Sequence, residues 1–70
     1  MFWWFERKGT YLRCEVLQLP SGEYELRLVG PDGSERIEQF SGPEALGRRQ
    51  QAVQQDLAAD GWSGPHGWVL

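Results

Sequence analysis

The sequence is poor in the residues that usually carry chemistry or anchor a chain. Its 70 residues include one cysteine, one histidine and one methionine. A single thiol, Cys14, closes no disulfide within the chain, which excludes a disulfide-stapled secreted module. Cys14 and His66 fall short of the several nitrogen or sulfur ligands at set spacings that zinc needs, so no metal is expected. No apolar run reaches the ~20 residues that span a bilayer. The opening Met1-Phe2-Trp3-Trp4-Phe5 is too short for a signal peptide and runs directly into Glu6-Arg7-Lys8. The expectation is a cytoplasmic protein without membrane attachment. Basic residues are scarce too: seven Lys and Arg stand against ten Asp and Glu, a net charge of −3. Phosphate backbones select the opposite sign. The P-loop, the dinucleotide-binding glycine motif and the EF-hand loop are all missing, so no cofactor is expected.

Aromatic residues and turn signals are what the chain does have. Nine residues are aromatic, four of them tryptophan. A chain this short makes one domain with a marginal core. Lys8-Gly9, Pro20-Ser21-Gly22, Gly30-Pro31-Asp32-Gly33 and Ser41-Gly42-Pro43 punctuate the first 43 residues. Between them run Phe2 to Arg7, Thr10 to Leu19, Glu23 to Val29 and Ser34 to Phe40, all strand-like in composition. Short runs joined by tight turns predict consecutive antiparallel hairpins, a four-stranded meander.

Residues directly opposite one another share a face, so register can be tested by hydrophobicity. A two-residue Lys8-Gly9 turn sets Phe5 against Leu12 and Trp3 against Cys14. A three-residue Pro20-Ser21-Gly22 loop sets Val16 against Leu26 and Cys14 against Leu28. Both registers gather Trp3, Phe5, Leu12, Cys14, Val16, Tyr24, Leu26 and Leu28 on one face. Phe2, Trp4, Glu6, Tyr11, Arg13, Glu15, Leu17, Glu25 and Arg27 fall on the other, with Glu15 opposite Arg27 as an expected ion pair. The third hairpin admits two registers. A two-residue Asp32-Gly33 turn sets Ile37 opposite Leu28 and Glu38 opposite Arg27, and the side-chain pattern favours it. A three-residue Pro31-Asp32-Gly33 turn sends Ile37 to the other face and brings Phe40 inward, and proline favours that.

Ser41-Gly42-Pro43-Glu44 matches a capping box with Pro43 in the first turn, so a helix is expected from there to Asp60. Gly61 supplies its C-terminal stop, with Trp62 packing back on Leu57. Leu46, Val53 and Leu57 form a narrow stripe, widened by Ala45 and Ala52 and shared with Gln50, enough to cover one sheet face. Residues 63–70 have no regular period. They read as a tail, loop-like through Gly67, docking through Trp68-Val69-Leu70 on the same chain or on a second copy. The expected fold is therefore α+β: a four-stranded antiparallel β-meander followed by one C-terminal α-helix packed on one sheet face. One domain spans residues 1–62, and the tail spans 63–70.

Catalysis is not expected. Cys14 falls on the core face and His66 in the tail, whereas a thiolate nucleophile needs an adjacent base in a polar setting. Glu23 and Glu25 share a strand, and Asp56 and Asp60 a helix face, but neither pair flanks a cleft as carboxylate catalysis requires. Protein association is the expected function. The helix covers one face only, which leaves Phe2, Trp4, Tyr11 and Leu17 in need of cover beside Arg13 and Arg27, with Trp68 also unassigned. An aromatic patch with arginine among charges has the composition of an interface, and a small domain completes its core by dimerising. The candidate interface residues are thus Phe2, Trp4, Tyr11, Arg13, Leu17, Arg27 and Trp68, and the expected partner is a second copy or another protein. The alternative is single-stranded nucleic-acid binding by the same aromatic and arginine face. In element order alone, four meandering strands and a helix resemble the single-strand-binding folds of the transcriptional-coactivator and Whirly kind. The acidic net charge disfavours that alternative.

Overall fold

A tight turn in which both central residues take positive φ, Lys8 at 50° and Gly9 at 78°, starts the fold. This geometry matches the twist of the flanking strands and fixes the first hairpin. The computed structural model describes residues 1–69, with side-chain surroundings through Gly67. Among these residues the elements are β1 (Phe2–Arg7), β2 (Thr10–Gln18), β3 (Tyr24–Val29), β4 (Glu35–Phe40), α1 (Pro43–Ala59) and β5 (Ser63–Val69). The five strands form one sheet in the order β4-β3-β2-β1-β5, each neighbour antiparallel. The α+β class and the meander followed by a helix are as the sequence predicts. Among the described residues no helix is long and apolar enough to cross a membrane.

The first two registers match those drawn from the sequence: Phe5 faces Leu12, Trp3 faces Cys14, Val16 faces Leu26 and Cys14 faces Leu28. The third does not follow the two-residue turn. Ile37 lies opposite Arg27, Leu28 opposite Arg36, and Phe40 opposite Tyr24. The Gly33 N–H donates to the Gly30 carbonyl at 3.0 Å and the Gly30 N–H to the Ser34 carbonyl at 2.9 Å, closing a three-residue loop. Gly33 at φ 84° takes its left-handed position. Asp32 Oδ1 accepts from the Ser34 N–H at 3.0 Å and its hydroxyl at 2.7 Å. Those bonds hold the Asp32 carboxyl below its usual range. Ile37 therefore moves to the face away from the helix, where it is 50 % exposed.

The capping box also fails to form. Gly42 is the N-cap, with no side-chain cap bond, and Pro43 begins the helix. The box needs Ser41 as the cap and Glu44 three residues on; starting one residue later puts Glu44 out of that position. The other end closes as expected. The Trp62 N–H donates to the Leu57 carbonyl at 2.9 Å and the Gly61 N–H to the Ala58 carbonyl at 3.1 Å, a Schellman motif. The last turn contains no basic residue of its own. Arg7 of β1 supplies the cation instead: its Nη1 donates to the Asp60 carbonyl at 3.1 Å and to Asp60 Oδ2 at 2.7 Å. Its guanidinium lies 4.7 Å from the Trp62 ring centroid.

The segment expected as a loop-like tail is instead β5, which adds to the free edge of β1. Phe2 pairs with Val69, Trp4 with His66 and Glu6 with Ser63, with register shifts between these pairs. Two glycines and a proline weaken any strand signal, and Pro65 is tolerated because β5 is an edge. Helix length suits this path. Seventeen residues span ~25 Å at 1.5 Å per residue, enough to cross the ~19 Å that separates β4 from β5 at ~4.8 Å per strand. The helix carries the chain over one face, where Trp3, Phe5, Cys14, Val16, Leu26, Leu46 and Trp62 form the core. Leu12, Tyr24, Leu28, Phe40 and Leu57 pack around it.

Candidate functional site

Alternation along the strands sends every second residue to the face that the helix leaves open. Across this face one row reads Glu35, Val29, Arg13, Trp4 and His66, and the next reads Ile37, Arg27, Glu15 and Phe2. Tyr11 lies beyond the first row, beside Glu6, and Leu17 beyond the second, beside Glu25. Four apolar or aromatic side chains here are largely exposed: Phe2 37 %, Leu17 41 %, Ile37 50 % and Tyr11 52 %. Phe2, Trp4, Tyr11 and Arg13 line a shallow groove of about 340 Å³. The Phe2 and Trp4 rings meet at 6.1 Å between centroids, tilted by 43°.

Six of the seven candidate residues thus have described side chains on one face. Trp68 contributes its backbone to β5, and its side chain lies outside the described residues. Leu70, expected to help dock the tail, also lies outside them. β5 extends the sheet edgewise and covers Trp4 only in part. The His66 ring sits 6.2 Å from the Trp4 ring. A side chain at Gly67 would collide with the Trp4 ring, so the indole lies directly against the β5 backbone.

The two arginines of the face differ. Arg27 faces Glu15 in register, yet its guanidinium turns to Glu25 at 3.3 Å and Glu35 at 3.7 Å. Its Nε is shielded from solvent and has no hydrogen-bond partner. Arg13 is exposed and, among the described residues, neither it nor Glu15 has an ion-pair partner. Arg13, Glu15, Arg27 and Glu35 surround a second depression, of about 180 Å³.

Groups with catalytic potential lie elsewhere. Burial pushes the Cys14 thiol up to about 12, away from the thiolate that reactions need. Ser63 Oγ is 3.2 Å from the Glu6 carbonyl and 3.2 Å from His66 Nε2. A hydroxyl has one proton to donate, so Ser63 Oγ gives it either to the Glu6 carbonyl or to His66 Nε2, and no buried acid stands behind the imidazole among the described residues. Among the described residues no three His, Cys, Asp or Glu side chains are grouped to hold a metal ion.

Two contacts on the helix side were not foreseen. Arg49 grips Glu38 through two bonds, Nε to Oε1 at 2.8 Å and Nη2 to Oε2 at 3.1 Å, tying α1 to β4. These bonds hold the Glu38 carboxyl below its usual range and raise Arg49 further. The correct third register would have found them, because it turns Glu38 toward the helix. Comparison with protein-family models, with curated proteins and with solved structures gave no match.

Proposed function

We propose that this chain is a small non-enzymatic interaction module that works as a homodimer, burying the open sheet face against a second copy. One observation carries the reading: Phe2, Tyr11, Leu17 and Ile37 are exposed on the face that α1 leaves open. Apolar and aromatic side chains interspersed with arginine and carboxylates have the composition of an association site. The sheet edges are poorer candidates. β5 carries Pro65, which has no N–H to donate, and β4 carries Glu35, Arg36 and Glu38, charges that discourage edge pairing. A cytoplasmic location fits the free Cys14 thiol, since such thiols persist in reducing compartments.

Mass in solution tests this. The chain should run at twice 8.0 kDa, and Tyr11→Asp with Ile37→Asp should return it to the single-chain mass with an unchanged circular dichroism spectrum. A single-chain mass for the unaltered protein at high micromolar concentration would refute the reading.

A second reading, single-stranded nucleic-acid binding, is supported by the groove itself, where Phe2, Trp4 and Tyr11 stand beside Arg13. The carboxylates around Arg27 and the net charge of −3 weigh against it. Oligonucleotide should quench tryptophan fluorescence at low salt if it holds. An unchanged signal removes it.

A further inference from the structure

We infer that the two copies stack face to face about a two-fold axis that crosses β2 between Arg13 and Glu15, so that each Arg13 meets Glu15 of the second copy. This deepens the homodimer reading and rests on it. The argument starts from the central strand. β2 has two strands on each side, and its outward residues, in order, are Tyr11, Arg13, Glu15 and Leu17. That row is complementary to its own reverse: aromatic to aliphatic at the ends, cation to anion in the middle.

A symmetric dimer that buries one face has its two-fold axis in the plane of contact. If the axis ran along the strands, Arg13 would lie over Arg13 and Glu15 over Glu15, two like-charge contacts. If it crossed the strands at Arg13 or at Glu15, that residue would meet its own copy. Crossing between them sets Arg13 against Glu15 twice and Tyr11 against Leu17 twice. The same operation places Trp4, level with Arg13, over Phe2, level with Glu15, on the second copy. The aromatic groove is then filled by the second copy's own aromatics. Packed sheets are rotated by ~30°, which displaces distant pairs most and those at the axis least. Arg13 and Glu15 straddle the axis.

The state of the charges in one chain fits this arrangement. Arg27 has Glu25 and Glu35 within 3.3 Å and 3.7 Å. Arg13 and Glu15, among the described residues, have no such partner. Either alone would be an unpaired charge in a buried face. The two-fold neutralises both.

Charge exchange tests the register. Arg13→Glu and Glu15→Arg should each weaken the dimer at least about tenfold, since each sets like charges together. Mixed in equal amounts, the two variants should form a heterodimer. In it the carboxylate introduced by Arg13→Glu faces the guanidinium introduced by Glu15→Arg, and the unaltered Glu15 of the first variant faces the unaltered Arg13 of the second. Arg48→Glu on the exposed helix surface should leave the dimer intact, and circular dichroism should show all variants folded. If the unaltered chain is dimeric and both single variants dimerise as tightly, the register is wrong while the homodimer stands. If both variants are monomeric and remain so on mixing, Arg13 and Glu15 do not face each other, and the register is again overturned. If the unaltered chain is monomeric, the register and the homodimer fall together.

Discussion

Trp4 is held by a residue with no side chain. Its indole rests on the backbone at Gly67, where φ is 69° and any Cβ would enter the ring. Two costs therefore combine in Gly67→Ala: a left-handed backbone that alanine resists and a collision with a half-buried indole. Gly33 separates them, because its φ is 84° but nothing lies within 4 Å of an added Cβ. Gly33→Ala should cost ~1 kcal/mol, the backbone part alone, and Gly67→Ala ~2–3 kcal/mol. Urea unfolding of the two variants reads the difference. Equal losses would mean that the indole shifts aside freely and that β5 is not fixed by this contact. Gly67 was unreadable as a strand residue in the sequence because glycine is depleted in strands; only the ring across the sheet explains it.

Hairpin turns decided how much of the sheet could be read in advance. Lys8-Gly9 and Pro20-Ser21-Gly22 fixed their registers because hydrophobic pairs and turn chemistry agreed. At Pro31-Asp32-Gly33 they conflicted, and the turn prevailed: it has the same proline–polar–glycine order as Pro20-Ser21-Gly22 and closes with the same bond pattern. Ile37 opposite Leu28 looked better only while the Arg49 partner of Glu38 was unknown, since a helix cannot be placed over a sheet from strand periodicity. That clamp gives a pH-dependent contribution. Glu38 also meets Arg36 Nε at 3.3 Å, and its carboxyl lies below its ordinary value of 4.5 in the fold, chiefly through the Arg49 bond. Stability from this group is present above the unfolded value and is lost as pH falls through the lower folded one. Glu38→Gln should cost ~0.5–1 kcal/mol at neutral pH, in line with a partly exposed pair. The variant and the unaltered chain should converge in denaturant midpoint once the pH is well below 4.5. A gap that persists there would assign the loss to packing and not to the charge.

A two-layer domain with one open face gains stability from whatever covers that face, and this links the interaction surface to the fold as a whole. Most of the candidate surface was legible from alternation alone: Phe2, Trp4, Tyr11, Arg13, Leu17 and Arg27 needed only the first two registers. Ile37 and the partial cover of Trp4 by β5 depended on a turn conflict and on an edge strand of glycine and proline. The resulting domain has a radius of gyration of 12.0 Å, above the ~11 Å expected for a compact chain of this length, as suits one sheet with a helix on only one side. If a second copy supplies the missing layer, folding and association are linked, and the melting temperature must depend on concentration. For a dimer unfolding to two chains, each tenfold rise in concentration above the dissociation constant adds ~1.4 kcal/mol per dimer. With an unfolding entropy of ~2.1 cal/mol/K per residue, that is a shift of ~5 °C. The unaltered chain should show this slope in thermal melts across the micromolar range. Arg13→Glu should need at least about tenfold more protein to reach the same melting temperature, since its dimer is weaker by that factor. A flat response from both would mean that the open face stays solvated and that the single layer of core beneath the helix stabilises the domain by itself.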